Sequence, residues 1–101
     1  MNPSKVVREK VTYLTDLPNV GPAIAEDLRR IGIDSPEVLR GKDPWELYVE
    51  LCAKSGVRHD PCLLDVFIAI TEFMNGGKPK VWWAYTAERK RRFGKCEPLK
   101  G

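Results

Sequence analysis

The run Leu17-Pro18-Asn19-Val20-Gly21-Pro22-Ala23-Ile24-Ala25 is the stretch whose residue types and spacing point most directly to a ligand. Gly21 allows a tight turn and a close approach of the backbone to a bound group. Val20 is placed to point inward and pin the turn to a core. Pro22 opens a helix, because its missing N–H would have no partner at the first helical position. Ala25 is small, so neighbouring helices can pack closely. A helix that starts here presents unpaired N–H groups and the positive end of its dipole, which suits a phosphate. The charges nearby are mixed. Glu26 and Asp27 lie one turn on and would repel a phosphate, and Arg29 and Arg30, a further turn on, offset them in part.

A second constellation lies towards the C-terminus. Trp82, Trp83, Tyr85 and Phe93 are interleaved with Lys80, Arg89, Lys90, Arg91 and Arg92. Aromatic rings can stack on unpaired bases, and basic side chains can neutralise phosphates. The competing reading is that Trp82 and Trp83 fold back and close the core, which a small domain favours because it needs large apolar area. For Arg89 to Arg92 the competing reading is a solvated face or a disordered tail, and the tail could also rest against the acidic body.

Metal and nucleophile chemistry have little to stand on. Cys52, His59 and Cys62 are spaced C-x6-H-x2-C, with Cys96 further on, but the closely spaced cysteine pairs of structural zinc sites are absent. Cys62, near a helix start, could have a lowered pKa, with His59 three residues away. No oxyanion or substrate motif, P-loop, nucleotide-binding Gly-rich loop or paired carboxylates accompany them. The expectation is a protein that is not an enzyme and holds no metal.

The elements that position these residues are marked by proline. Asn2-Pro3, Gly21-Pro22, Ser35-Pro36, Asp43-Pro44 and Asp60-Pro61 each place a favoured N-cap residue before a residue favoured at the first helical position. Five helix starts follow. Val7, Val11 and Leu14 suit a helix over 3–14, and Ile24, Leu28 and Ile31 one over 22–31. A short helix is expected over 35–40. Leu47, Tyr48, Leu51 and Cys52 form a stripe over 44–55. Pro61 to Met74 is apolar nearly all round and should be the central helix. A sixth helix could cover 80–92.

Length and charge bound the rest. The chain of 101 residues fits one domain. Its net charge is +3, unevenly spread: residues 78–101 carry eight basic residues against two acidic ones, and residues 1–77 are mildly acidic. The three cysteines form no CxxC pair, and no apolar run is long enough for a membrane span. With no apolar leader at the N-terminus, a cytoplasmic location is expected.

The hairpin, continued by Leu28-Arg29-Arg30-Ile31-Gly32-Ile33, resembles the helix-hairpin-helix of DNA repair enzymes and polymerase-β-type proteins. That resemblance implies phosphate-facing N–H groups at Asn19, Gly21, Ala23 and Ile24. It also implies a candidate monovalent cation site at the carbonyls of Thr15, Leu17 and Val20. Asn19 replaces the commoner first Gly, and Asn tolerates a left-handed conformation better than most residues. A longer resemblance adds Ile33 to Gly41, Asp43 to Tyr48, Asp60-Pro61-Cys62 and Trp82-Trp83. Over about 12–85 the chain is similar to a small bacterial pathogenicity-locus family of helix-hairpin-helix proteins. Over about 15–55 it is similar to the C-terminal domain of TfoX competence regulators.

The expected fold is an all-α, compact five- to six-helix bundle of the polymerase-β N-terminal or SAM-like type. Residues 1–93 form the domain, with the hairpin at 17–21, a flexible connection at 76–79 and a loose tail at 94–101. The expected function is weak, sequence-independent contact with a nucleic-acid backbone, most simply DNA. The contact residues are Asn19, Gly21, Ala23, Ile24, Arg29, Arg30, Lys80, Arg89, Lys90, Arg91 and Arg92. The alternative is a protein-interaction module on the same fold.

Overall fold

In the computed structural model, which describes residues 5–93, the chain is built around α3 (Pro61–Met74). The sequence makes this helix apolar nearly all round, and the structure buries every residue from Leu64 to Thr71, then Phe73 and Met74. It packs against α2 (Pro44–Ser55), a 3-10 turn at Pro36–Leu39, a second at Trp82–Tyr85, and α4 (Thr86–Phe93). The fourth α-helix, α1 (Pro22–Arg30), packs on α2 and on a 3-10 turn at Leu14–Asp16. The described residues are all-helical, with no strand.

The helix starts follow the Asp-Pro and Gly-Pro pairs. The Asp43 carboxylate accepts the Trp45 N–H at 2.8 Å, and Asp60 accepts the Cys62 N–H at 2.8 Å. Pro occupies the first turn of both helices, where no N–H is missed. At the end of α1, Gly32 takes φ +83°. That left-handed residue lets the N–H of Ile33 reach Leu28 O at 2.9 Å and its own N–H reach Arg29 O at 3.1 Å. The pattern satisfies two open carbonyls and brings the buried Leu28 and Ile33 together.

Two of the expected helices are absent as such. Within 3–14 the described residues form no α-helix: a 3-10 turn at Arg8–Lys10 is followed by extended backbone and the turn at Leu14–Asp16. Residues 3 and 4 lie outside the described residues. Local side-chain bonds compete with the helix here: Asp16 Oδ2 accepts the N–H groups of Thr12 and Tyr13 at 3.0 and 2.8 Å. Val6, Val7, Val11 and Thr12 are β-branched, which lowers helix propensity further. The segment 35–40 is likewise a single 3-10 turn. In place of the expected five or six helices, the described residues form four α-helices joined by 3-10 turns.

Arg8 explains what the N-terminal segment gains. Its Nε donates to Phe73 O at 2.6 Å, its terminal nitrogen donates to Gly77 O, and its guanidinium lies 5.0 Å from the Phe73 ring centre. A cation thereby caps the carbonyl end of the central helix, where the dipole favours it. The connection 76–79 is tied down at the same place, with the Gly77 N–H on Glu72 O at 2.7 Å. No helix among the described residues is long and apolar enough to cross a membrane.

Candidate nucleic-acid interface

Leu17 and Val20 are buried and anchor the turn between the Leu14–Asp16 segment and α1. The left-handed residue of this turn is Asn19, at φ +69°. Gly21 is extended, at φ −98° and ψ −175°, a conformation any residue adopts. A Cβ added at Gly21 would meet nothing within 4 Å. The fold therefore gives Gly21 neither a conformational nor a steric requirement, and what remains of the sequence argument is close approach of a ligand.

The start of α1 differs from the starts of α2 and α3. Gly21 is its N-cap residue and supplies no side-chain cap, whereas Asp43 and Asp60 cap the other two. Among the described residues, no protein acceptor takes the N–H groups of Asn19, Gly21, Ala23 or Ile24. Of the three carbonyls named as a cation site, that of Leu17 accepts the Val20 N–H at 3.3 Å.

The Asn19 side chain has a second task. Its Nδ2 donates to Lys80 O at 2.7 Å, and its Oδ1 accepts the Trp82 N–H at 3.2 Å. One amide thus pairs with both polar faces of the segment 80–82 and holds it against the hairpin. Lys80 is exposed there, with its Nζ 5.7 Å from the Tyr85 ring centre. Trp82 is half-buried against the core, while Trp83 is 61% exposed and stands edge-on to it, ring centres 5.5 Å apart at 87°. The two tryptophans split between the two readings: one helps close the core and the other does not.

Between the hairpin and the start of α3 runs a groove of about 290 Å³, lined by Asn19, Ile24, Asp60, Cys62, Leu63, Val66 and Trp82. Asp60 keeps its charge readily. The N–H of Cys62, then its thiol, hydrogen-bond the carboxylate and hold it below the usual value. The Cys62 thiol moves opposite to the lowering that its place near a helix start could have given. Burial pushes it up first, and the hydrogen bond to Asp60 and the Asp60 charge add to this.

Of the expected contact residues, the structure brings Asn19, Gly21, Ala23, Ile24 and Lys80 together. Arg29 and Arg30 sit at the far end of α1, roughly 12 Å from Gly21 at 1.5 Å per residue. They pair with Glu26 at 3.4 Å and Asp27 at 3.8 Å, which neutralises the two acids near the hairpin. Lys90 and Arg91 are exposed on α4. Arg92 pairs with Glu88 at 3.2 Å and lies 4.8 Å from the Phe93 ring centre, and that ring stacks on Trp45 at 5.1 Å.

Arg89 is a correction. It is 8% exposed, and its Nε donates to Asp65 Oδ1 at 2.8 Å. Thr86 donates to the other carboxylate oxygen at 2.7 Å. Arg89 therefore joins α4 to α3 and does not face solvent with its neighbours. The signal was Asp65 itself, the one charged residue between Leu63 and Ile70. A carboxylate in an all-round apolar helix requires a buried partner.

The cysteine–histidine spacing gathers a different set of contacts. The His59 N–H reaches Cys52 Sγ at 3.5 Å, His59 Nε2 meets Ser55 Oγ at 2.9 Å, and the Tyr48 hydroxyl donates to His59 O. Among the described residues no group of three or more His, Cys, Asp or Glu is placed to hold a metal. Cys96 and the tail 94–101 lie outside the described residues.

The comparisons with known proteins complete this picture. A protein of Streptomyces lavendulae named mitomycin resistance protein McrB is 46% identical over 78 residues, covering 77% of this chain and 74% of the relative. No solved structure matches the chain significantly. The sequence profile of the Pathogenicity locus (Cdd1) family matches residues 7–91, a span that takes in the hairpin, all of α1 to α3, and both Arg8 and Arg89. The chain belongs to the Pathogenicity locus family.

Proposed function

We propose that the protein makes weak, sequence-independent contact with a nucleic-acid backbone, and that the hairpin is its phosphate seat. In this reading the stretch from Leu14 through α1 works as a helix-hairpin-helix whose first helix is reduced to one 3-10 turn. The observation that carries the reading is the uncapped start of α1, with the N–H groups of Asn19, Gly21, Ala23 and Ile24 open to a ligand. Three further features support it. Gly21 leaves room for close approach. Asn19 places exposed Lys80 beside the turn. Arg29 and Arg30 cancel the charges of Glu26 and Asp27. Lys90 and Arg91 add long-range attraction from α4, with Arg92 shared with Glu88.

One hairpin touches few phosphates, so the affinity falls near the nonspecific range of about 10⁻⁴–10⁻⁶ M, with a salt slope of roughly −0.9 per phosphate neutralised. A titration of a labelled short DNA at ~50 mM salt tests this. Gly21→Asp is the informative variant. It adds the side-chain cap that α2 and α3 already have, which stabilises α1 by a few tenths of a kcal/mol or more. It also fills the seat with a negative charge, so binding is lost while stability is kept or raised. Unchanged binding in that variant overturns the hairpin as the site.

A protein-docking role for the same face is the second reading, favoured by the apolar walls of the groove at Ile24, Leu63, Val66 and Trp82. A partner that stays bound after nuclease treatment and is lost on Leu63→Asp would establish it. The mitomycin resistance named for the relative is compatible with either.

A further inference from the structure

We propose that the segment clamped to the hairpin is a stacking platform for an unpaired base, so that the preferred ligand is single-stranded or locally unpaired nucleic acid. This rests on the phosphate seat proposed above. Trp83 is the reason. A small domain that needs apolar area has left this indole 61% exposed, while Trp82 beside it is packed against the core. The exposed ring is not a loose appendage. Its neighbour's N–H is hydrogen-bonded to Asn19, and Trp82 braces it edge-on at 5.5 Å. The same Asn19 is the left-handed residue of the hairpin. One side chain therefore sets the spacing between the phosphate seat and the ring.

The charges that flank the ring along the chain fit an anionic partner. Lys78 and Lys80 precede it and are exposed, and Lys90 and Arg91 follow on α4. The one acid among residues 78–93, Glu88, is paired with Arg92. Asp60, ionised at the groove, keeps a phosphate out of the groove itself and on the hairpin side. A base carries no charge for Asp60 to repel and can stack on the exposed face of Trp83. A duplex cannot use this arrangement, because its bases are stacked on one another and must be unstacked before an aromatic side chain reaches their faces.

The experiment is an anisotropy titration of the full chain with a labelled short oligothymidylate and with the same strand annealed to its complement, at ~50 mM salt. The strand is expected to bind more tightly than the duplex. Trp83→Ala should weaken strand binding by about 5- to 150-fold, the range for one stacked base, and leave the duplex affinity unchanged. Trp83→Phe should keep most of it. Both variants should melt with the wild type, since the ring is largely outside the core. Equal losses on strand and duplex, or no loss on either, overturn the stacking platform and leave the hairpin seat standing. Strand binding that survives Gly21→Asp but not Trp83→Ala overturns the hairpin seat and the placement of the base beside it. Failure of the wild type to bind either ligand overturns both.

Discussion

Asn19 and Trp82 lie 63 residues apart and are joined by the Trp82 N–H donating to Asn19 Oδ1 at 3.2 Å, with a companion bond from Asn19 Nδ2 to Lys80 O at 2.7 Å. The left-handed residue of the turn before α1 is thus also the one that holds the segment 80–82. Two substitutions separate these tasks. Asn19→Gly keeps the left-handed turn and loses both bonds, each worth about 0.5–1.5 kcal/mol net. Asn19→Ala loses the bonds and also places a Cβ in the left-handed region, at a further cost of about 1–2 kcal/mol. Urea unfolding should rank wild type above Gly above Ala. Hydrogen exchange at the Trp82 amide should speed up in both variants. Continued protection of that amide in Asn19→Gly would show that the clamp does not hold the segment.

Arg89→Ala should be among the most damaging changes in the basic C-terminal region. It leaves the fully buried Asp65 carboxylate without its partner, and breaking such a pair costs about 3–5 kcal/mol. Arg91→Ala, two residues on and exposed, should stay within about 0.5 kcal/mol of wild type. Replacing both members of the pair, as Asp65→Leu with Arg89→Leu, should recover much of the loss. Equal stabilities for the Arg89 and Arg91 variants would remove the pair from the account of the fold.

The tail's charge pattern led to the wrong surface for Arg89 because Asp65 lies 24 residues earlier, on an element that looked purely apolar. The helix starts at Asp43-Pro44 and Asp60-Pro61 were legible for the opposite reason: each cap acts on an N–H two residues away. The N-terminal helix was misread because Val7, Val11 and Leu14 fit a helical spacing. The segment is shaped instead by the Asp16 bonds to Thr12 and Tyr13 and by Arg8 meeting Phe73, 65 residues off. The turn at Asn19 was readable from its tolerance of left-handed backbone, and its clamp was not, since nothing local announces Lys80 and Trp82.

Arg8→Ala should loosen the carbonyl end of α3. A hydrogen bond involving a charged group contributes about 1.5–3 kcal/mol, so loss of the bonds to Phe73 O and Gly77 O should lower the melting temperature by several degrees. Arg8→Lys should recover only part, because an ammonium lacks the planar fork that serves two carbonyls. Full rescue by Lys would reduce Arg8 to a point charge near the helix end.

Acid should expose the two local carboxylate devices. Hydrogen bonds from the N–H groups of Tyr13 and Thr12 hold Asp16 below its ordinary value of 3.8, and those from Cys62 do the same for Asp60. The folded state therefore binds fewer protons than the unfolded chain in this window. The stability these groups add is full above the ordinary carboxylate value and is lost as pH falls through the lower folded values. Melting curves from about pH 6 down to about pH 3 should be flat at first and then fall. The double variant Asp16→Asn with Asp60→Asn keeps side-chain acceptors and removes the titration. Its acid limb should be shallower, and an identical limb would place the acid sensitivity elsewhere.

The Asp65–Arg89 pair also sets an order of assembly. A growing chain emerges with α3 long before α4, and until Thr86 and Arg89 arrive the acid on α3 has nothing to neutralise it. The interior is closed by nearly the last residues described. A premature stop or a proteolytic cut ahead of residue 86 would not trim an appendage. It would leave an unpartnered carboxyl on the central helix and an open core, the form of a protein that cellular quality control removes.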